Sequence, residues 1–320
     1  MSSQPPIRIG TRGSKLALAQ SGMMRDRIAA ELSRLGGAAD RAREAAPLVI
    51  ITTTGDRIQD RRLLEIGGKA LFTKEIEEAL LDGRIDAAIH SMKDVPAEMP
   101  PGLVIAAIPE REDPRDAFVS TRFASLAELP QGARLGTASL RRQAQALHVR
   151  PDLEIVMLRG NVDTRLAKLE AGEADAILLA ASGLNRLGLG HVPRGFIDPL
   201  ECPPAPGQGA LAIQTRAEDA DAAWVAALRC EATTLAVAAE RGALVALEGS
   251  CRTAVGAHAR LDGRRLTLVV EALTPDGARR YRREDAVDLG ADAEGDARTL
   301  GLRLGEAIRV EGGADILLKD

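Results

Sequence analysis

Leu135-Gly-Thr-Ala-Ser-Leu-Arg-Arg-Gln143 runs a small-residue loop into a helix start at Ser139, with Arg141 and Arg142 in the first turn. A helix N-terminus carries partial positive charge and unsatisfied N–H groups, so paired cations there call for an anion. Gly10-Thr-Arg-Gly-Ser-Lys15 has the same character: Arg12, Ser14 and Lys15 sit between a strand and a helix. It lacks the GKS/T ending of a nucleotide phosphate loop. Arg159-Gly-Asn-Val-Asp-Thr-Arg165 is a third strand–loop–helix unit with arginines. Each alone reads equally as a basic turn or a solvated helix cap. Together they favour a small polyanion, and the guanidinium fork suits carboxylates.

His90-Ser-Met-Lys-Asp-Val-Pro96 follows the C-terminal end of an apolar strand, the edge where open α/β sheets hold ligands. Pro96 keeps Val95 extended and restricts the loop carrying Lys93 and Asp94. Asp94 can work as a general acid/base or stabilise a cation formed on a substrate; pattern alone favours the plainer reading, half of a surface Asp–Lys pair in a turn. Gly67-Gly-Lys-Ala-Leu-Phe72, with Lys69, is a lid or a plain connection. In Leu247-Glu-Gly-Ser-Cys-Arg-Thr253, Arg252 can favour a Cys251 thiolate, although free cysteines are mostly buried and inert. Cys230 reads as structural, and Cys202 offers no mechanism.

These loops need a scaffold. Strands are predicted over 7–10, 48–52, 85–90 and 103–108, alternating with helices capped by Ser14 (to about Leu35, with Met24, Ile28, Leu32 and Leu35 on one face) and by Thr73. A second alternation follows: strands 134–136, 154–158 and 175–180, and helices starting at Ser139 and Asn161. The βα order implies mostly parallel sheets. Residues 73–90 and 162–179 echo each other, matching Gly83 with Gly172 and Asp86 with Asp175. After a Pro/Gly-rich break, 210–215 reads as a strand returning to the first domain. Strands 253–261, 265–272 and 278–283 and a helix near 291–309 complete an α+β end.

Composition narrows the class. The chain has 320 residues, 45% hydrophobic content and net charge −4. Scarce aromatics and no basic run exclude a nucleic-acid platform, and no apolar run spans a bilayer. Three cysteines and four scattered histidines suggest neither a disulfide framework nor a zinc site. With no signal-peptide core, the expectation is a cytoplasmic protein.

The strings IGTRGSKLALAQ, GGKALFTKE, HSMKDVP, EREDPRDAFVS, LGTASLRRQ, LRGNVDTRLAKL, PAPGQGAL and LEGSCRTAVGAH occur in the order found in the porphobilinogen deaminase (hydroxymethylbilane synthase) family, which the chain closely resembles. The resemblance implies a transferase of heme biosynthesis. It joins four porphobilinogen molecules head to tail, releasing ammonia, to give linear hydroxymethylbilane. It implies a dipyrromethane cofactor held by a thioether to Cys251, and Asp94 as the catalytic aspartate. Arg12, Arg141, Arg142, Arg159 and Arg165 match family arginines that bind acetate and propionate side chains. Ser14, Gln20, Lys69, Lys93, Thr137, Ser139 and Gln208 fall on matched positions near the family's cleft. Ala138, Glu65, Ala254 and Lys15 depart from the common pattern without touching a bond-making residue. The implied fold is three domains: two α/β domains like the halves of a type II periplasmic binding protein (1–109 plus 208–228, and 110–207), and a small α+β domain with an antiparallel sheet (229–320). A monomer is implied, with a transient hand-off to uroporphyrinogen-III synthase. The competing reading is a non-catalytic two-lobed anion-binding module, which would leave Cys251 and Asp94 idle.

Overall fold

A computed structural model describes residues 5–35, 42–57, 72–192, 194–247 and 253–316. The chain divides into two compact units. One runs to Arg111 and resumes over Ala210–Thr234; the other holds Glu112–Gly209 and the chain from Leu235 onward.

The first unit is built on a five-stranded sheet ordered β2-β1-β3-β10-β4: β1 Ile9–Thr11, β2 Leu48–Ile50, β3 Ala87–Ser91, β4 Leu103–Ala107 and β10 Leu211–Arg216. β2, β1 and β3 are parallel neighbours, while β10 runs antiparallel to both β3 and β4. The returning strand expected at 210–215 is therefore real and lies inside this sheet. Helix α1 (Lys15–Arg34) starts where the Ser14 hydroxyl accepts the Ala17 N–H. Its Met24, Ile28 and Leu32 pack with Ile9, Ile89 and Ile213. Leu35, expected on that face, is the C-cap and is exposed. Helix α2 (Lys74–Leu81) packs Ile76 and Leu80 with Ile85 and Ala88 in a second cluster. Thr73 precedes α2, but its backbone is helical and its hydroxyl makes no cap bond, so the expected cap is absent.

The second unit contains a sheet of the same plan, β7-β6-β8-β5-β9: β5 Asp116–Val119, β6 Arg134–Gly136, β7 Glu154–Val156, β8 Ala176–Ala180 and β9 Arg194–Phe196. Here β5 is the reversed strand. Successive β8 residues serve opposite faces: Ile177 and Leu179 meet Leu158 and Leu184, whereas Ala176 and Leu178 meet Phe118 and Leu135. Helices α3 (Leu140–Val149), α4 (Val162–Glu170) and α5 (Ala181–Arg186) follow β6, β7 and β8. Asn161 caps α4 by accepting the Thr164 N–H at 2.8 Å.

The same unit carries an antiparallel sheet of β11 (Ala254–Asp262), β12 (Arg265–Leu273) and β13 (Arg280–Asp288), beside helices α6 (Glu231–Ala246) and α7 (Ala293–Gly312). Alternate residues of β11 and β12 (Val255, Ala257, Leu268 and Val270) pack on Ala239, Ala243, Leu300 and Leu304. This sheet has its own core but shares a unit with the second five-stranded sheet, and residues up to Thr234 join the first unit, so the division differs from the three boundaries expected. The reason is contact with α3: Leu140 and Ala144 pack against Ala254 and Leu273.

Candidate active site

In the first unit β3 runs directly into a 3-10 turn, Met92–Asp94. His90 and Met92 are buried, which leaves Lys93 and Asp94 exposed at the sheet edge. Val95 is buried and extended before Pro96, fixing the exit of the turn. The entry is fixed as well. Buried Gln20 of α1 donates to Ser91 Oγ at 3.0 Å, and His90 Nε2 lies 2.9 Å from Gln214 Oε1 on β10. Gln214 in turn donates to Glu77 Oε1 at 3.3 Å. Burial pushes the His90 pKa down to about 4, so the ring is neutral near pH 7 and holds the strand rather than moving protons. The Asp94 carboxylate has no hydrogen bond or ion pair among the described residues.

Arg12 leaves β1 in the same unit. Its Nη2 lies 2.5 Å from Asp56 Oδ1, its Nε donates to both Asp56 oxygens, and its guanidinium stacks over Phe72 at 4.1 Å. Burial alone would raise the Asp56 pKa; hydrogen bonds from Arg12 and Thr53 outweigh it and keep the carboxylate ionised. A ligand carboxylate at Arg12 therefore competes with Asp56.

The second unit gathers Arg141, Arg142 and Gln208 around one internal carboxylate. Asp116 Oδ2 accepts from Arg141 Nη1 at 2.7 Å; Oδ1 accepts from Arg142 Nη2 and from Gln208 Nε2, each at 2.8 Å. Arg142 also donates to the Leu178 carbonyl at 3.0 Å. All four side chains are buried. Burial by itself would raise the Asp116 pKa; the two guanidiniums overcome it and hold the group far below the usual carboxylate range. Asp116 thus supplies one anion to Arg141 and Arg142 from within the fold. One carboxylate between two guanidiniums still leaves a unit of positive charge at this contact. Arg141 Nε, buried, has no hydrogen-bond partner among the described residues. Thr137 Oγ1 accepts the Ser139 N–H at 3.1 Å, and Ser139 accepts the Arg142 N–H as N-cap of α3.

Arg159 and Arg165 flank Gly160, where Arg165 Nε donates to the Gly160 carbonyl at 2.9 Å. Arg159 Nη1 is buried with no hydrogen-bond partner among the described residues. That nitrogen is a buried donor left free to meet an acceptor. Cys251 and Lys69 lie outside the described residues. Of the other cysteines, Cys202 has its thiol pushed by burial up to about 11, too high for a ready thiolate.

Several polar partners escape the motif reading: Asp56, Asp116, Gln145, Glu271 and Arg186, whose Nη2 donates to the Gly209 carbonyl at 2.7 Å. Only Asp116 leaves a trace in sequence, as an acidic residue at the start of the apolar run Asp116-Ala-Phe-Val119. A charge at such a place needs a partner, but spacing cannot say which. Among the described residues no group of three or more His, Cys, Asp or Glu side chains is placed to hold a metal, and no helix is long and apolar enough to cross a membrane.

Comparison with known proteins agrees with the motif order. Residues 7–223 match the family model described as "Porphobilinogen deaminase, dipyromethane cofactor binding domain", and residues 234–309 match "Porphobilinogen deaminase, C-terminal domain". Similar curated proteins, each called porphobilinogen deaminase, come from Caulobacter vibrioides NA1000 (71% identical, 100% of both chains) and Phenylobacterium zucineum HLK1 (66% identical, 99% of this chain and 100% of the other). Among solved structures, the ligand-binding component of an ABC-type import system from Staphylococcus aureus is similar at TM-score 0.39 and 13% identity, over 75% of this chain and 73% of that one.

Proposed function

The chain belongs to the porphobilinogen deaminase family, and we infer that Asp94 manages charge at the reacting pyrrole while arginines grip its acidic arms. The activity is the stepwise head-to-tail condensation of four porphobilinogen molecules, with loss of ammonia, to linear hydroxymethylbilane on a dipyrromethane cofactor. We place it in the transferase class, in the cytoplasm, as a monomer that hands its product to uroporphyrinogen-III synthase.

The observation that carries the site assignment is the exposed Asp94 carboxylate, without a partner among the described residues and in the unit that also holds Arg12. A protein built only to bind anions gains nothing from a bare carboxylate, which would repel its ligand. A carboxylate does help when ammonia departs from a pyrrole and positive charge develops on the ring. Asp94 then stabilises that charge and accepts the pyrrole N–H groups. The rigid seating of the turn by Gln20, His90 and Val95 keeps Asp94 preorganised.

The donor set fits a cofactor rich in carboxylates. Arg159 has a desolvated Nη1 without a partner among the described residues, and the Arg141–Arg142–Asp116 group keeps a positive charge to spare. In the first unit Arg12 and Lys93, and in the second unit Arg141, Arg142, Arg159 and Arg165, are the cations assigned to acetate and propionate arms. Ser14, Gln20, Thr137, Ser139 and Gln208 keep those groups in place through the cap and side-chain bonds given above. Cys251 would anchor dipyrromethane through a thioether; when bound, the cofactor would supply the pyrrole carbon to which the first ring is joined.

Intact-mass measurement of the purified chain tests this reading. The wild type should carry a dipyrromethane adduct and give the red Ehrlich colour, and Cys251→Ser should have the bare mass. A wild-type chain that consumes porphobilinogen while its mass is bare would overturn it.

A further inference from the structure

Arg141 reaches the antiparallel sheet through a chain of buried hydrogen bonds. Its Nη1 donates to Gln145 Oε1 at 2.8 Å, one turn along α3. Gln145 Nε2 donates to Glu271 Oε1 on β12 at 2.6 Å and to the Pro203 carbonyl at 2.8 Å. Glu271 Oε2 accepts from Arg280 Nε at 2.7 Å. Gln145 and Glu271 are both buried, at 5% and 0% exposure. Gly256, paired with Glu271 across the sheet, makes the close approach possible: a Cβ there would stand 2.5 Å from the Pro203 carbonyl.

We propose that Gln145 and Glu271 are positioning residues for Arg141, so that the antiparallel sheet sets how this guanidinium meets ligand carboxylates. The proposal rests on the reading that Arg141 serves such carboxylates. The direction of every bond in the chain is fixed by chemistry. A carboxylate only accepts, so Glu271 draws the NH₂ of the Gln145 amide toward itself and turns its carbonyl to Arg141. Arg280 only donates, so whatever faces it from position 271 must be an oxygen. In Glu271→Gln the new amide keeps its oxygen on Arg280 and points NH₂ at Gln145. The Gln145 amide must then flip and set its own NH₂ against the Arg141 Nη1, donor against donor. Arg141 keeps its bond to Asp116 but faces a donor where it had an acceptor, which turns the guanidinium while the packing volume hardly changes.

The test measures KM and kcat for porphobilinogen, melting temperature, and the loaded fraction of freshly purified protein by intact mass. Glu271→Gln and Gln145→Met should each raise KM about tenfold with kcat within about threefold, and lower the loaded fraction. In the double variant Gln145→Glu with Glu271→Gln, the carboxylate now at position 145 accepts both from Arg141 and from the amide now at position 271, but it no longer donates to the Pro203 carbonyl. KM should therefore return part of the way toward wild type, below that of either single variant. If Glu271→Gln fails to fold, Gln145→Met, which keeps the volume and removes the amide, decides alone. Wild-type KM and loading in the single variants, with Arg141→Gln impaired, would overturn the relay and leave the Arg141 reading standing. Wild-type behaviour of Arg141→Gln itself would remove that reading and the relay with it. A lowered melting temperature with unchanged KM and no rescue in the double variant would reduce the chain to simple packing and overturn the proposal.

Discussion

Asp86 and Asp175 hold the same post in the two five-stranded sheets: each carboxylate accepts the backbone N–H of an arginine at the head of the neighbouring strand, Arg8 at 2.9 Å and Arg134 at 2.8 Å. The arginine carbonyl returns the bond to the aspartate N–H at 2.8 Å in both. Each aspartate follows a helix closed by a glycine of positive φ, Gly83 at 67° and Gly172 at 76°. The echo between 73–90 and 162–179 is thus a repeat of hydrogen bonding as well as of residue type. With the shared strand order, it supports two copies of one α/β plan.

Asp175→Asn should cost about 1 to 3 kcal/mol in urea unfolding, through loss of a charged acceptor for the Arg134 N–H and of two ion-pair partners, Arg122 and Arg134. The Arg134 backbone bond, above all, depresses the Asp175 pKa, so the wild-type advantage exists above the ordinary carboxylate pKa and fades as pH falls through the lowered one. Wild type and variant should therefore converge in acid. A gap that widens in acid would contradict the assignment.

Asp116→Asn should be far more damaging. It strips the only carboxylate that contacts Arg141 and Arg142 among the described residues, leaving two buried guanidiniums facing a neutral amide. Removing one partner of a buried ion pair costs about 3 to 5 kcal/mol. Urea unfolding monitored by circular dichroism should show a loss of that size; a loss under about 1 kcal/mol would mean that the site tolerates water.

Periodicity and caps make most elements legible in the sequence. Ser14, Ser139 and Asn161 cap their helices as their types suggest, because an N-cap bond spans three residues and is a local matter. Thr73 has the right type and fails, since its hydroxyl is buried and its backbone helical. β5 and β9 lie outside the expected strands, β9 because Arg194-Gly-Phe196 has no alternation, and β13 covers Arg280–Asp288 rather than 278–283, its charged residues pairing with β12 throughout. The loops of the candidate site were visible as cations in unfavourable places. Their internal partners were not: Asp116 and Arg141 are 25 residues apart, and Gln145 and Glu271 are 126 apart. Nothing in local spacing encodes such pairs.

His90 should give the protein a pH dependence of its own. The folded-state pKa of about 4 lies below the ordinary 6.5, so the unfolded chain takes up the proton first. Stability is intact above about pH 6.5 and declines as pH drops toward 4, by about 3 kcal/mol for a gap of roughly 2.5 pH units. Unfolding free energies measured at intervals from neutral pH to pH 4 should fall more steeply for wild type than for His90→Gln. Parallel curves would mean that the ring is hydrated.

Asp94→Ala separates catalysis from folding most cleanly. The side chain is exposed at the end of a turn whose own contacts come from His90, Met92 and Val95. Removing it should leave the melting temperature within about 1 °C, because exposed substitutions away from such contacts change stability by about 0.5 kcal/mol or less. Turnover should nevertheless fall by about 10² to 10³, the range for loss of a preorganised electrostatic group. Asp94→Glu keeps the charge but displaces it by about a methylene, and misplacement near 1 Å can itself cost ~10² in rate. Steady-state consumption of porphobilinogen should rank wild type above Asp94→Glu, and Asp94→Glu at or above Asp94→Ala. Asp94→Asn tests charge against shape: it can still meet pyrrole N–H groups through its carbonyl but cannot neutralise a cation. If Asp94→Asn turns over like wild type, the carboxylate only orients the ring; if it falls with Asp94→Ala, its charge is what the reaction uses.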